Sequence, residues 1–363
     1  MTRIRVLVVD DSPTSRLLLV EILRADDEIE VVGQAADGLE AVAMVKRLRP
    51  DIVTMDVQMP RLDGFGATKR IMVESPTPIL ITTSVDPRAL SVSLEAVRMG
   101  ALAVQAKPGD PLSPGFDAEA RELVRQVKAM SRVKVVRHYE REPARVPATH
   151  AASTAALHDV TAEVVAIAAS TGGPAALHRI LTTLPADFPV PILVVQHMSR
   201  GFGPGFAGWL DKVSPLRVKL AEEREALRPG TVYVAVDDHH LCLSPSRRIH
   251  LSTADAVGGF RPSATVLFES VASAFGSHAV ALILTGMGRD GVDRLHAIRR
   301  AGGRTIAESE ATAVVYGMPA AAVQAGLADF ILPLDEVCAA LAGLPVGSVS
   351  RPVGSVSRKE LNR

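Results

Sequence analysis

Cysteine is almost missing from this chain of 363 residues: Cys242 and Cys338 stand far apart and form no C-x-x-C pair. That excludes a disulfide framework and a cysteine-rich zinc site, and it fits a reducing compartment. Net charge is missing too, with 40 Lys and Arg against 40 Asp and Glu. A globally basic nucleic-acid binder is therefore not expected, and no helix-turn-helix pattern restores that reading. No apolar run approaches the roughly 18 residues that a membrane helix needs. The N-terminus, MTRIRVLVVD, runs straight into a strand pattern and leaves no room for a signal peptide. The expectation is a cytoplasmic protein without membrane insertion. What is present is a globular mixture, 47% hydrophobic and 22% charged, which excludes a mostly disordered chain. At about 150 residues per domain, the length predicts two domains.

From Ile4 to about Met130, short β-rich runs alternate with helical stretches. Strands are expected at Ile4–Val9, Glu30–Val32, Ile52–Met55, Ile79–Thr82 and Leu102–Gln105. Helices are expected at Thr14–Ala25, Gly38–Leu48, Phe65–Glu74, Arg88–Met99 and Glu119–Met130. Runs such as VLVV and PILI suit strands buried on both faces, and the alternation predicts an α/β fold with a doubly wound parallel sheet. A linker is expected over 132–160: between Ala120 and Ala148 eight Lys and Arg face three Glu, and Pro143 and Pro147 follow. It reads as a solvated tether, with a basic docking patch as the alternative. A second α/β unit is expected over 161–345. Its strands are placed at Val164–Ala168, Ile192–Val195, Val232–Ala235, Leu241–Leu243, Ile249–Leu251, Ala279–Leu284 and Arg304–Ala307. Its helices are placed at Ala175–Leu184, Thr265–Phe275, Val292–Arg300 and Met318–Ala325. The tandem PVGSVSR repeat cannot build a core, so 346–363 reads as a disordered tail.

In the first unit, the carboxyl ends of the strands carry Asp10 and Asp11, Asp56, Thr83, and Lys107. Open α/β sheets place their sites at these ends. Clustered carboxylates repel one another unless a hard cation such as Mg²⁺ sits among them. A lysine and a hydroxyl opposite them suit a phosphoryl group, so the chemistry implied is phosphoryl acceptance on a carboxylate. Asp10 or Asp11 alone reads rather as a cap on the helix that follows. Together these residues resemble the receiver domain of two-component response regulators, over about 125 residues. The resemblance implies a flavodoxin-like fold, with Asp56 as phospho-acceptor and Thr83 and Lys107 reading the phosphoryl group. It implies Mg²⁺ held by Asp11, Asp56 and the Gln58 carbonyl, with Asp10 acting through water. Val104 stands where many receivers carry an aromatic switch residue, a departure that bears on how the signal travels and not on phosphorylation.

In the second unit, VVAIAASTGGP puts Ser170 after an apolar strand and before Gly172–Gly173–Pro174, close to free backbone N–H groups suited to an oxyanion. The next strand ends in Gln196–His197, and ALIL ends in TGMGRDG with Asp290. Nucleophile, base and orienting carboxylate thus come from three strand ends. Singly, Ser170 reads as a helix cap, His197 as a structural histidine and Asp290 as a loop or cap residue. His239 and His240 are expected to be surface loop residues, and Trp209 a packing residue. Gly286, Gly288 and Gly291, with Glu308 further on, imitate a dinucleotide fingerprint, but Asp290 puts a carboxylate where a pyrophosphate would sit.

ASTGG, QHM, LTGMGRDG, AGGRTIAESE and YGMP, in this order behind a receiver, resemble the chemotaxis protein-glutamate methylesterase/glutaminase family. The resemblance covers roughly residues 4–340. It implies a Rossmann-like catalytic domain behind the receiver of residues 1–131. The implied triad is Ser170, His197 and Asp290, with the Met287 N–H and Thr171 in the oxyanion site and no cofactor for the hydrolysis. The implied substrates are methyl-accepting chemotaxis receptors, whose glutamate methyl esters are hydrolysed to release methanol and certain of whose glutamines are deamidated. A histidine kinase is the implied phosphodonor, the protein is expected to be a monomer, and the unphosphorylated receiver is expected to cover the Ser170 cleft. Ala168 replaces a glycine common in the family motif. The alternative is a non-enzymatic adaptor that binds receptors or a kinase in a phosphorylation-dependent way.

Overall fold

Strand β1, Ile4–Val9, sends Leu7 and Val9 into one apolar cluster and Val6 and Val8 into another. Such a strand has no solvent face, and only a sheet covered on both sides accommodates it. The structure, a computed structural model, describes residues 3–83, 101–133 and 161–344. The helix expected at Arg88–Met99, nearly all of the tether and the repeat tail lie outside the described residues. In chain order the first unit contains β1, α1 (Pro13–Arg24), β2 (Ile29–Ala35), α2 (Gly38–Leu48), β3 (Ile52–Asp56), α3 (Gly64–Glu74), β4 (Ile79–Thr83), β5 (Ala103–Ala106) and α4 (Phe116–Met130). The strands pair in parallel in the order β2-β1-β3-β4-β5. This is the flavodoxin-like order, and its switch point falls between β1 and β3.

The second unit opens with β6 (Val164–Ala169), α5 (Gly173–Thr183), β7 (Ile192–Gln196), α6 (Gly203–Val213), β8 (Arg217–Leu220) and β9 (Thr231–Val234). An antiparallel hairpin follows, β10 (His240–Leu243) with β11 (Ile249–Ser252). Then come α7 (Ala264–Phe275), β12 (Ala279–Ile283), α8 (Val292–Arg300), β13 (Arg304–Glu308), α9 (Met318–Gln324), β14 (Phe330–Leu332) and α10 (Leu334–Ala342). Seven parallel strands run in the order β14-β13-β12-β6-β7-β9-β8. The chain winds outward from β6 through β7, returns to β12 beside β6 and winds the other way, so the switch point lies between β6 and β12. Val165, Ile167 and Ala169 enter the apolar cluster on one face of the sheet, and Val164, Ala166 and Ala168 enter the one on the other.

The two units meet. Val104 and Ala106 on β5 pack against the apolar cluster of the second unit, and Val314 packs against that of the first. The Ala106 N–H donates to Ser199 Oγ at 3.3 Å. Two of the basic residues counted near the tether, Arg125 and Lys128, belong to α4, where they pair with Glu122 and Asp26. One expectation is corrected. His240 is not a surface residue but is 1% exposed. Its Nδ1 accepts the Ser263 N–H at 3.2 Å and its Nε2 meets the Asp255 carbonyl at 3.1 Å, so backbone partners rather than solvent satisfy the ring. Trp209 is buried in the core, as expected.

Candidate functional site

At the first switch point, Asp10 is fully buried, and Asp11 is exposed. A carboxylate oxygen from each of Asp10, Asp11 and Asp56 lies within 4.8 Å of the others. Three hard oxygen donors at that spacing fit a small divalent cation such as Mg²⁺. Lys107 Nζ reaches Asp10 Oδ2 at 2.7 Å and Asp56 Oδ2 at 3.0 Å. Burial works against the Lys107 charge, but the hydrogen bond to Asp10 and the charges of both aspartates outweigh it and hold its pKa above the ordinary value. Burial pushes the Asp56 carboxyl above the usual range despite Lys107. The Lys107 N–H donates to the Thr83 carbonyl at 2.8 Å, which ties the ends of β4 and β5 together. Gln58 stands two residues past Asp56 on an exposed loop. The helix cap on α1 is Ser12, not an aspartate, although Asp10 accepts the Ser12 N–H at 3.0 Å and the Ser15 hydroxyl at 2.8 Å.

At the second switch point, β6 ends one residue before Ser170 and β7 ends one residue before His197, with Ala169 paired to Gln196. The two side chains therefore leave the sheet side by side. Ser170 does not cap α5; that place belongs to Gly172 at φ +83°, a left-handed conformation that glycine adopts without penalty. Ser170 is 5% exposed. His197 Nε2 meets Asp290 Oδ2 at 2.9 Å, and His197 Nδ1 is buried without a hydrogen-bond partner. With Nε2–H donating to the carboxylate, Nδ1 is left as a proton acceptor. Phe260 stacks on the imidazole, with centroids 4.1 Å apart and planes 7° from parallel.

Asp290 both caps a helix and holds the histidine. It accepts the Ser263 hydroxyl at 2.7 Å, the Thr265 hydroxyl at 2.8 Å and the Ala264 N–H at 2.7 Å, all at the start of α7. Burial opposes its charge, but His197 and these donors prevail and hold its carboxyl at about 2. The imitation dinucleotide fingerprint serves other ends. A Cβ on Gly286 would stand 2.7 Å from Ser170 Cβ, so glycine lets the TGMG loop approach the serine, and Glu308 is buried with its carboxylate accepting the Thr285 N–H at 2.8 Å. Thr171 is 4% exposed, and Met287 is half-buried.

A cavity of about 230 Å³ holds Ser170 and His197, and its walls come from both units. Val104, Arg125 and Gln126 are among the residues that form the wall from the first unit. The Thr171 hydroxyl donates to Gln126 Oε1 at 3.0 Å, and Arg125 Nη1 lies 3.0 Å from Met287 Sδ. The two residues expected in the oxyanion site are thus both engaged by α4. Sequence reasoning missed Phe260, Ser263 and Thr265 as site residues. Only Ser263, a serine before the apolar run of α7, carried a local signal, that of a helix cap.

The CheB methylesterase model matches residues 165–341, and the response regulator receiver domain model matches residues 6–112. A protein-glutamate methylesterase/protein-glutamine glutaminase 3 from Anaeromyxobacter dehalogenans is 55% identical over 341 residues, covering 93% of this chain and 98% of its own length. A protein-glutamate methylesterase/protein-glutamine glutaminase 4 from Myxococcus xanthus is 51% identical over 345 residues, covering 95% and 98%. The solved Thermotoga maritima CheB methylesterase catalytic domain is 40% identical, covers 51% of this chain and 100% of its own, and has a TM-score of 0.49. The non-enzymatic adaptor finds no support among these relatives.

Proposed function

This chain belongs to the CheB methylesterase family, and we propose that it hydrolyses glutamate methyl esters on chemoreceptors with Ser170 as nucleophile, His197 as base and Asp290 as orienting carboxylate. Ser170 Oγ attacks the ester carbonyl as its proton passes to His197 Nδ1. The C=O electrons move onto the carbonyl oxygen, which the Met287 N–H and Thr171 stabilise. Collapse breaks the C–O bond, and the proton on His197 leaves with methanol. Water then cleaves the acyl-enzyme by the same proton path and frees Ser170. The same steps on a receptor glutamine release ammonia. The observation that carries this reading is His197 held at 2.9 Å by a buried carboxylate, with its other nitrogen unpartnered and with Ser170 lining the same cavity. The decisive comparison is methanol release from methylated receptor membranes by wild type and Ser170→Ala. Loss of several orders of magnitude is expected, and near-normal release sinks the assignment.

The receiver belongs to the same reading. Asp56 accepts a phosphoryl group from a histidine kinase, Lys107 and Thr83 contact that group, and Asp11, Asp56 and the Gln58 carbonyl would hold Mg²⁺, with Asp10 assisting. Mg²⁺ held there would neutralise the charge of the carboxylates during phosphoryl transfer. One chain supplies every residue named, and we propose that it acts as a monomer. We propose its division as receiver 1–131, linker 132–160, catalytic domain 161–345 and tail 346–363.

A further inference from the structure

The last ladder bond between β6 and β7 is the His197 N–H donating to the Ala169 carbonyl at 2.9 Å, and beyond it both chains turn into loops. Ser170 and His197 therefore sit where the sheet has stopped fixing the distance between them. The Gln196 side chain spans this gap. Its Nε2 donates to the Ser170 carbonyl at 2.7 Å and to the His197 carbonyl at 2.9 Å, so both N–H groups of one amide are spent on the backbones of these two residues.

We propose that Gln196 is a positioning residue that clamps nucleophile and base at their working separation, an inference that rests on the triad reading above. Two further observations support it. Gln196 is 5% exposed and its Oε1 is buried with no hydrogen-bond partner, so the amide is kept although half of its bonding capacity is wasted. An apolar side chain of the same size would avoid that cost, and the benefit must lie with Nε2. In addition, a Cβ on Gly173 would stand 2.0 Å from Gln196 Oε1. The first residue of α5 is thus a glycine at the spot where any side chain would displace the amide. The Ser170 carbonyl also accepts the Gly173 N–H at 2.8 Å, so its two lone pairs are filled and the nucleophile loop is anchored from both sides.

A clamp and a filler are separated by Gln196→Met, which keeps size and shape, removes both donors and abolishes the orphaned acceptor. In the full-length protein, the rate of Ser170 labelling by a small fluorophosphonate reports serine activation without any need for receptor binding. The clamp predicts a fall of about 10- to 100-fold in labelling and in kcat, with KM for methylated receptors unchanged, as for a small misplacement of reacting groups. Gly173→Ala, which leaves Gln196 in the sequence but evicts its amide, should fall similarly, and it decides the matter if Gln196→Met does not fold. A decrease under about fivefold in folded protein, judged by circular dichroism, overturns the clamp, and a larger one upholds it. Ser170→Ala runs alongside. If it labels like wild type, the triad reading has failed and not the clamp.

Discussion

Asp290 joins two demands that usually fall to different residues. As the acceptor for Ser263, Ala264 and Thr265 it closes the N-terminus of α7, and as the partner of His197 it selects the imidazole tautomer. Its carboxyl is held at about 2, below the ordinary carboxylate value. A depressed folded-state pKa adds stability that is present above about pH 4 and is lost as the pH falls toward 2. The size is roughly 2 kcal/mol, at about 1.4 kcal/mol per unit. Thermal melts of wild type should therefore decline between about pH 4 and pH 2 more steeply than those of Asp290→Asn. Parallel declines would show that this carboxylate is not stabilised by its partners. In catalysis, Asp290→Asn should lower kcat by about 10³- to 10⁴-fold while leaving a trace, because the amide favours the wrong tautomer but the nucleophile remains. Asp290 was legible as a loop or cap carboxylate after β12, but which helix it caps was not. The donors lie some 25 residues earlier in the chain, and no local spacing encodes that meeting.

Among the elements, those buried on both faces were the most readable. β1, β3, β4 and β6 announce themselves as short apolar runs, and Ala168 and Ala169 take β6 up to Ser170 without a break. The helix α6 was missed because GPGFAG opens it with three glycines and a proline, although Phe206, Trp209 and Leu210 mark a buried face. The edge strand β8, where Arg217 and Lys219 interrupt the apolar residues, and the three-residue β14 were missed as well. The helix α4 was readable as amphipathic from Leu123, Val127 and Met130, but its other side was not. That side carries Arg125 and Gln126 to Met287 and Thr171 across more than forty residues of chain. A hydrogen bond of this kind contributes about 1 kcal/mol. Gln126→Ala in the unphosphorylated full-length protein should therefore raise basal methanol release several-fold. Unchanged release would show that this contact does not help to hold the receiver in place.

For the whole molecule, two doubly wound sheets each place their chemistry at a switch point, and the two sites are joined by β5. Lys107, at the carboxyl end of β5, binds Asp10 and Asp56, while the preceding residue, Ala106, donates its N–H to Ser199 in the loop after His197. Val104, where an aromatic switch was missing from the sequence, lines the Ser170 cavity and packs on the second unit. The departure therefore lies in the contact between the units. On the proposed reading a docked receiver narrows access to Ser170 and undocking opens it, so whatever lowers docking should raise turnover. Deleting residues 1–140 should therefore raise basal methylesterase activity, phosphorylating the intact protein should do the same, and Asp56→Ala should stay at the basal rate with any phosphodonor. The sign is what discriminates, because a receiver that acted only as a positive activator would leave the truncated enzyme slower than the unphosphorylated full-length one. Rates on one receptor preparation decide between them: a truncated protein that is folded by circular dichroism and yet slower removes occlusion as the inhibitory device. A phosphorylated full-length rate above the truncated one would mean that the receiver, once released, also improves the site it had covered.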